Sequence, residues 1–141
     1  MQKKGDVKMK FSYENKNERL VGHLEFGDLY TSPDSMRGYK PYELMLTSLV
    51  TCSGVLLVKL LQKKRMGFTN VYFIAEGNRN PDEANRIESI KITAHVTFDQ
   101  VMAKQQLEKI EQLVIKNCGM IQTIIGSVDV TYNIHPEHSV S

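Results

Sequence analysis

Two cysteines, Cys52 and Cys118, are the residues whose type most directly suggests chemistry in this chain. A thiolate can attack a peroxide oxygen and become a sulfenic acid, which a second thiol then converts to a disulfide. The two cysteines lie far apart in the sequence, so this cycle requires the fold to bring their sulfurs together. A packing role remains open for both, because a free cysteine also behaves as a small apolar side chain.

The first cysteine falls in the strongest helix pattern of the sequence. Residues 42–66 predict one long helix, with Pro41 suited to its first turn and Gly67 suited to its C-terminal stop. Its apolar residues cover nearly the whole circumference, which is typical of a helix buried on most sides. A single chain of 141 residues can hardly surround a helix roughly 37 Å long, so we expect a dimer to bury it. Polar residues interrupt the apolar run and disfavour a membrane span.

The second cysteine falls at the start of a predicted short helix over 117–125. The unpaired N–H groups and the dipole of a helix N-terminus stabilise a thiolate, so the pKa of Cys118 is expected to be lowered. Cys52 lies in the middle of its helix, and no helix terminus is expected to serve it. Its small neighbours, Ser53 and Gly54, would let another group approach closely.

Alternating apolar residues predict the strands that surround these helices. A polar first segment, 1–6, is expected to be a loose end, and His135 to Ser141 a tail. The remaining elements are strands at 7–13, 20–26, 29–31, 70–76, 86–98 and 128–134, a loop at 32–41, a turn at 77–85, and a helix at 100–116 capped by Asp99. This order predicts a mostly antiparallel α+β fold, in a single domain over residues 1–141.

Composition excludes several classes of function. The net charge of +2 argues against an electrostatic nucleic-acid binder, and two cysteines are too few for a disulfide scaffold or a closed zinc site. The first residues contain no apolar leader segment, so we expect a cytoplasmic protein with reduced thiols. His135 and His138 form an H-x-x-H pair that could hold a metal, although a frayed tail is the favoured interpretation.

Two segments around the cysteines resemble one known family. The segment PYELMLTSLVTCSG at 41–54 places a cysteine in a long helix after a Pro-x-Glu-Leu start, and NCGM at 117–120 places another at a later helix start. Together with the order of elements over nearly the whole chain, these segments resemble the OsmC/Ohr family. The resemblance implies an intertwined homodimer in which antiparallel sheets wrap around long central helices.

The resemblance also implies an activity and a set of site residues. Members of the family reduce organic and lipid hydroperoxides with a peroxidatic cysteine, matched here by Cys52, and a resolving cysteine, matched by Cys118. An arginine pairs with the thiolate, matched by Arg37 or, in the first hairpin, by Arg19, and a glutamate matched by Glu43 holds that arginine. The implied partners are an organic hydroperoxide and an external dithiol reductant, with no nucleic acid and no membrane.

The implied cycle needs no metal, flavin or haem. Two positions depart from the well-studied branches: Tyr42 stands ten residues before Cys52, where those branches carry the glutamate, and Gly119 follows the second cysteine in place of proline. These features resemble a third branch. The alternative function is a non-catalytic dimeric stress protein of the same fold, or a binder of a small apolar ligand. The distance between the two sulfurs, together with the presence of an arginine near Cys52, separates these hypotheses.

Overall fold

The computed structural model describes residues 7–138, without the side chain of His138; the predicted loose end at 1–6 lies outside the described residues. The predicted order of elements is confirmed. The elements are β1 (Lys10–Glu14), β2 (Arg19–His23), β3 (Asp28–Thr31), α1 (Pro41–Lys63), β4 (Phe68–Asn80), β5 (Arg86–Phe98), α2 (Lys104–Asn117), α3 (Gly119–Ile124) and β6 (Asp129–His138). They form two compact units, one ending at Met45 and one beginning at Leu46.

The first unit contains a three-stranded antiparallel sheet in the order β1-β2-β3. The loop that follows β3 folds back on it, since the Tyr39 N–H donates to the Tyr30 carbonyl over 2.9 Å. Gly38 makes this return possible, because a Cβ there would lie 2.7 Å from the same carbonyl oxygen. The predicted loop is therefore ordered against the sheet edge by backbone contacts.

The long helix ends earlier than its apolar pattern predicts. Arg65 adopts the left-handed conformation, with φ of 57°, and the Met66 N–H donates to the Leu61 carbonyl over 2.9 Å. This is the Schellman ending, and the Arg65 N–H completes it by donating to the Gln62 carbonyl over 3.0 Å. The C-terminal stop is thus Arg65, and the prediction that Gly67 has this role is wrong.

The second unit contains the sheet β4-β5-β6, in which β4 and β5 are antiparallel and β5 and β6 are parallel. The antiparallel prediction therefore holds for every pairing except the last, where α2 and α3 form the crossover between β5 and β6. β4 and β6 exceed their predicted lengths, whereas β5 has the predicted bounds. β4 continues to Asn80, into the predicted turn, and β6 continues to His138, into the predicted tail.

The core of the second unit forms on one face of β5. Alternate residues of that strand, from Ile90 to Phe98, are all buried, as a strand with one covered face requires. α2 packs on β6 through the carboxylate of Glu111, which accepts the backbone N–H of Ile134 over 3.1 Å. The start of α2 differs from the prediction: its N-cap is Ala103, while the Asp99 N–H donates to the Gly67 carbonyl instead.

α1 is covered along one stripe only within this chain. Its buried residues follow a spacing of about four, which is one face of a helix: Leu49, Ser53, Gly54, Leu57 and Leu61. The helix is long and apolar enough to cross a membrane by length and composition, with only 28% of its most apolar window buried. Val55, on another face, is 51% exposed. The burial on most sides that the sequence predicts is therefore not supplied by one chain.

Candidate active site: a contacting pair of thiols

The fold places the two cysteines against each other. Cys52 is half-buried on α1, and Cys118 lies between α2 and α3 with 1% of its surface exposed. Both are free thiols, and the Cys118 thiol hydrogen-bonds the Cys52 sulfur. The contact that a two-cysteine cycle requires, and that no sequence spacing could establish, is thus present in the second unit.

Cys52 receives further hydrogen bonds from the first turn of α3. The backbone N–H of Met120, the Cys118 thiol and the backbone N–H of Gly119 all donate toward its sulfur and hold the pKa of Cys52 below its usual range. These N–H groups have no partner within their own helix, because the first turn of any helix leaves its donors unpaired. The expectation that no helix terminus serves Cys52 is therefore wrong: the terminus belongs to a different helix.

Cys118 behaves in the opposite way. Burial is the main cause that raises the pKa of Cys118, and the neighbouring Cys52 sulfur raises it further, against the lowering effect of the Ile121 N–H. The prediction of a lowered pKa at this residue is wrong, because its depth outweighs its place at a helix start. The two thiols therefore differ in role: Cys52 ionises more readily, and Cys118 keeps its proton.

A pH profile of alkylation checks this division. The rate of Cys52 carbamidomethylation by iodoacetamide should rise with pH through a midpoint below that of N-acetylcysteine, because its donors favour the charged form. In Cys118→Ala one of these donors is lost, so the midpoint should move up. Peptide-level mass spectrometry measures both rates. A wild-type midpoint at or above that of N-acetylcysteine contradicts the assignment.

Tyr132 completes the buried surroundings of the pair. Its hydroxyl lies beside Ser53 and near Cys118, and burial raises the pKa of Tyr132 so that it stays protonated. Ser53 donates its own proton to the Leu49 carbonyl over 2.6 Å. Among residues 7–138, the Tyr132 hydroxyl makes no hydrogen bond of acceptable geometry. The site therefore contains a desolvated donor beside the thiols.

Tyr132→Phe should raise the free energy of unfolding by about 1 kcal/mol, because it removes a buried hydroxyl without breaking a hydrogen bond. Urea denaturation of the reduced protein measures the change. Tyr72→Phe is the matched control: its hydroxyl donates to Glu137 over 2.9 Å, so this variant should gain no stability. Destabilisation by Tyr132→Phe beyond the control would mean that the hydroxyl has a partner in solution.

The small residues beside Cys52 accommodate an aromatic ring. A Cβ at Gly54 would lie 3.0 Å from the Phe73 ring of β4, so a larger residue there would require the ring to shift by a few tenths of an ångström. Gly54 and Phe73 also line an apolar groove of about 490 Å³, together with Val50, Val55 and Val58. The close approach that the sequence indicates is thus made by a side chain of the same chain.

The other predicted site residues lie in the first unit. Arg37 pairs with Asp34 at 3.2 Å and with Glu18 at 3.3 Å, and Glu43 pairs with Lys40 at 3.7 Å. Their assignment to the thiolate stays a prediction from the resemblance.

Arg19 is the more enclosed of the two arginines. Its guanidinium lies 4.0 Å above the Tyr30 ring and pairs with Glu14 at 3.3 Å. Its Nε is buried and has no partner among the residues that the structure describes. Arg19 therefore keeps an unused donor, which its position in the sequence could not indicate.

The sequence model of the family described as OsmC-like protein matches residues 32–133, which span both cysteines. The chain belongs to the OsmC-like protein family. No curated protein sequence matches it. The family resemblance drawn from the two cysteine segments is therefore confirmed.

Solved structures place the OsmC-like chain in the same fold. A hypothetical protein from Aquifex aeolicus superposes with a TM-score of 0.80 at 19% identity, covering 96% of this chain and 99% of its own. An OsmC-like protein from Mycoplasma pneumoniae gives 0.77 at 12% identity, covering 99% and 100%. A protein from Legionella pneumophila, described as an organic hydroperoxide resistance protein, gives 0.68 at 12% identity, covering 91% and 96%. The predicted α+β, OsmC-like fold is confirmed.

Proposed function

We propose that this OsmC-like protein reduces organic hydroperoxides through a two-cysteine cycle. The observation that carries the proposal is the contact between Cys118 and Cys52, with the added N–H donors that lower the pKa of Cys52. The description of the Legionella relative as an organic hydroperoxide resistance protein supports the choice of substrate class.

The first step consumes the hydroperoxide. The Cys52 thiolate attacks the terminal oxygen of ROOH, the S–O bond forms, and the O–O bond breaks. The terminal oxygen and its hydrogen become part of the sulfenic acid. The alkoxide is the leaving group, and it takes a proton from water to become the alcohol. Sulfur is oxidised and the peroxide is reduced by two electrons, so no metal, flavin or haem is required. The N–H groups of Gly119 and Met120 hold the thiolate in place before attack.

The second step joins the two sulfurs. Cys118 attacks the Cys52 sulfur, an S–S bond forms, and the sulfenic oxygen leaves as water with the Cys118 proton. The hydrogen bond between the two thiols places the attacking sulfur beside its target, which supports this step. An external dithiol then reduces the disulfide, and its own sulfurs become the new disulfide. The proposal also includes Arg37, or Arg19 in its place, as the cation that pairs with the Cys52 thiolate.

We further propose that two copies pair through α1. The exposed apolar residues of this helix and the groove beside it are the surface that a second copy would cover. This surface supports the homodimer that the resemblance implies. Action in the cytoplasm, without a membrane, is part of the proposal. The alternative, a non-catalytic binder of a small apolar ligand, takes its support from the same groove.

Intact mass spectrometry tests the proposed cycle. Reduced protein mixed with cumene hydroperoxide should lose two hydrogen atoms and gain no oxygen, because sulfenic acid converts to disulfide within the pair. Addition of dithiothreitol should restore the original mass. A protein that keeps its mass under excess hydroperoxide would exclude the peroxidase and leave the ligand-binding alternative.

A further inference from the structure

A second cluster of chemically active side chains lies on the sheet of the second unit. His95 on β5 and His135 on β6 are direct partners in the parallel register, and Glu137 follows two residues later on β6. One potential ligand atom from each residue lies within 4.8 Å of the others. Adjacent strands are about 4.8 Å apart, which suits two imidazoles that share one cation.

The cluster lies on the opposite face of the sheet from the core. Ala94 on β5 and Ile134 on β6 are buried, and residues alternate between faces along a strand. His135 is exposed, and the side chains of His95 and Glu137 are 17% and 33% exposed. The cluster is therefore reachable from solvent, and it is independent of the thiol pair.

Neighbouring contacts hold the cluster in place. The Tyr72 ring stacks on His95, with centroids 4.6 Å apart and planes within 5°, and the Tyr72 hydroxyl donates to Glu137 Oε1 over 2.9 Å. His95 Nδ1 lies 3.0 Å from the same oxygen, and the His135 ring approaches His95 edge-on with centroids 5.1 Å apart. Metal ligands in proteins are commonly oriented by such outer partners.

We propose that His95, His135 and Glu137 bind one divalent transition-metal ion of the zinc type. Two imidazole nitrogens and a carboxylate oxygen form a ligand set that such ions accept, with remaining positions open to water. Binding exchanges the hydrogen bond between His95 and Glu137 for one bond from each residue to the cation. The ion links β5 to β6 from the outer face.

Zinc titration with a chromophoric chelator as competitor tests the site. Cysteines also bind zinc, so the tag-free protein carries Cys52→Ser and Cys118→Ser. The parent should bind one zinc ion per chain, and His135→Ala should bind at least 10-fold more weakly. Cobalt in place of zinc should give a visible absorption band that this variant lacks.

Two control variants make the result decisive. His23→Ala removes a histidine of the first sheet that contacts Asp28, and His138→Ala removes the other histidine of the H-x-x-H pair; both should bind zinc like the parent. His135 is exposed, so its replacement leaves the core intact, which circular dichroism verifies. Equal affinity of His135→Ala and the parent, or a loss of affinity confined to His138→Ala, would overturn the proposal.

Discussion

Cys52→Ser should reduce the rate of reaction with cumene hydroperoxide by about 10³-fold or more, because it removes the nucleophile itself. A serine hydroxyl at this position would accept hydrogen bonds from the same N–H groups of α3, but it does not ionise near neutral pH. The measurement is peroxide consumption under excess dithiothreitol, with intact mass recorded at each time point. The variant should keep its mass throughout.

Cys118→Ser is the matched partner variant, since it makes the same atomic change at the other sulfur. Without dithiothreitol it should consume about one equivalent of hydroperoxide quickly and gain one oxygen atom, because no second thiol of the chain attacks the sulfenic acid at Cys52. Turnover should then depend on direct attack by the external dithiol. Equal activity of Cys52→Ser and the wild type, or failure of Cys118→Ser to gain an oxygen atom, would contradict the assigned roles.

Val55→Glu should dissociate the proposed homodimer, weakening self-association by about 10³-fold or more, because an unpaired carboxylate would be buried at the interface in both copies. Val55 is 51% exposed within one chain and lines the apolar groove beside α1, so the substitution leaves the core of the chain unchanged. Size-exclusion chromatography with light scattering across a concentration series gives the association constant.

Val101→Glu is the control for this change. Val101 is 83% exposed, lies between β5 and α2, and is not among the residues that line the groove containing Val55, so the same substitution there should leave the dimer intact. Circular dichroism of each variant separates loss of pairing from loss of folding. A wild-type protein that is monomeric at all concentrations, or a Val55→Glu protein as dimeric as the control, would exclude pairing through α1.

Periodicity and turn residues predicted the elements well, because apolar spacing follows from which face of a helix or strand is covered. The ends were less predictable, since hydrogen bonds to distant residues decide them. Arg65 ends α1 through a bond between Met66 and Leu61, although glycine stands two positions later. β6 runs to His138 because pairing with β5 continues through a segment rich in polar residues.

The sequence by itself determined the two cysteines, the helices that carry them and the family to which the chain belongs. Only the tertiary structure decided which of the two thiols ionises more readily. Local position placed Cys118 at a helix start, but the N–H groups of α3 point at Cys52 from another part of the chain, while depth raises the pKa of Cys118. Ionisation depends on all neighbours in space, whereas sequence patterns report only neighbours along the chain.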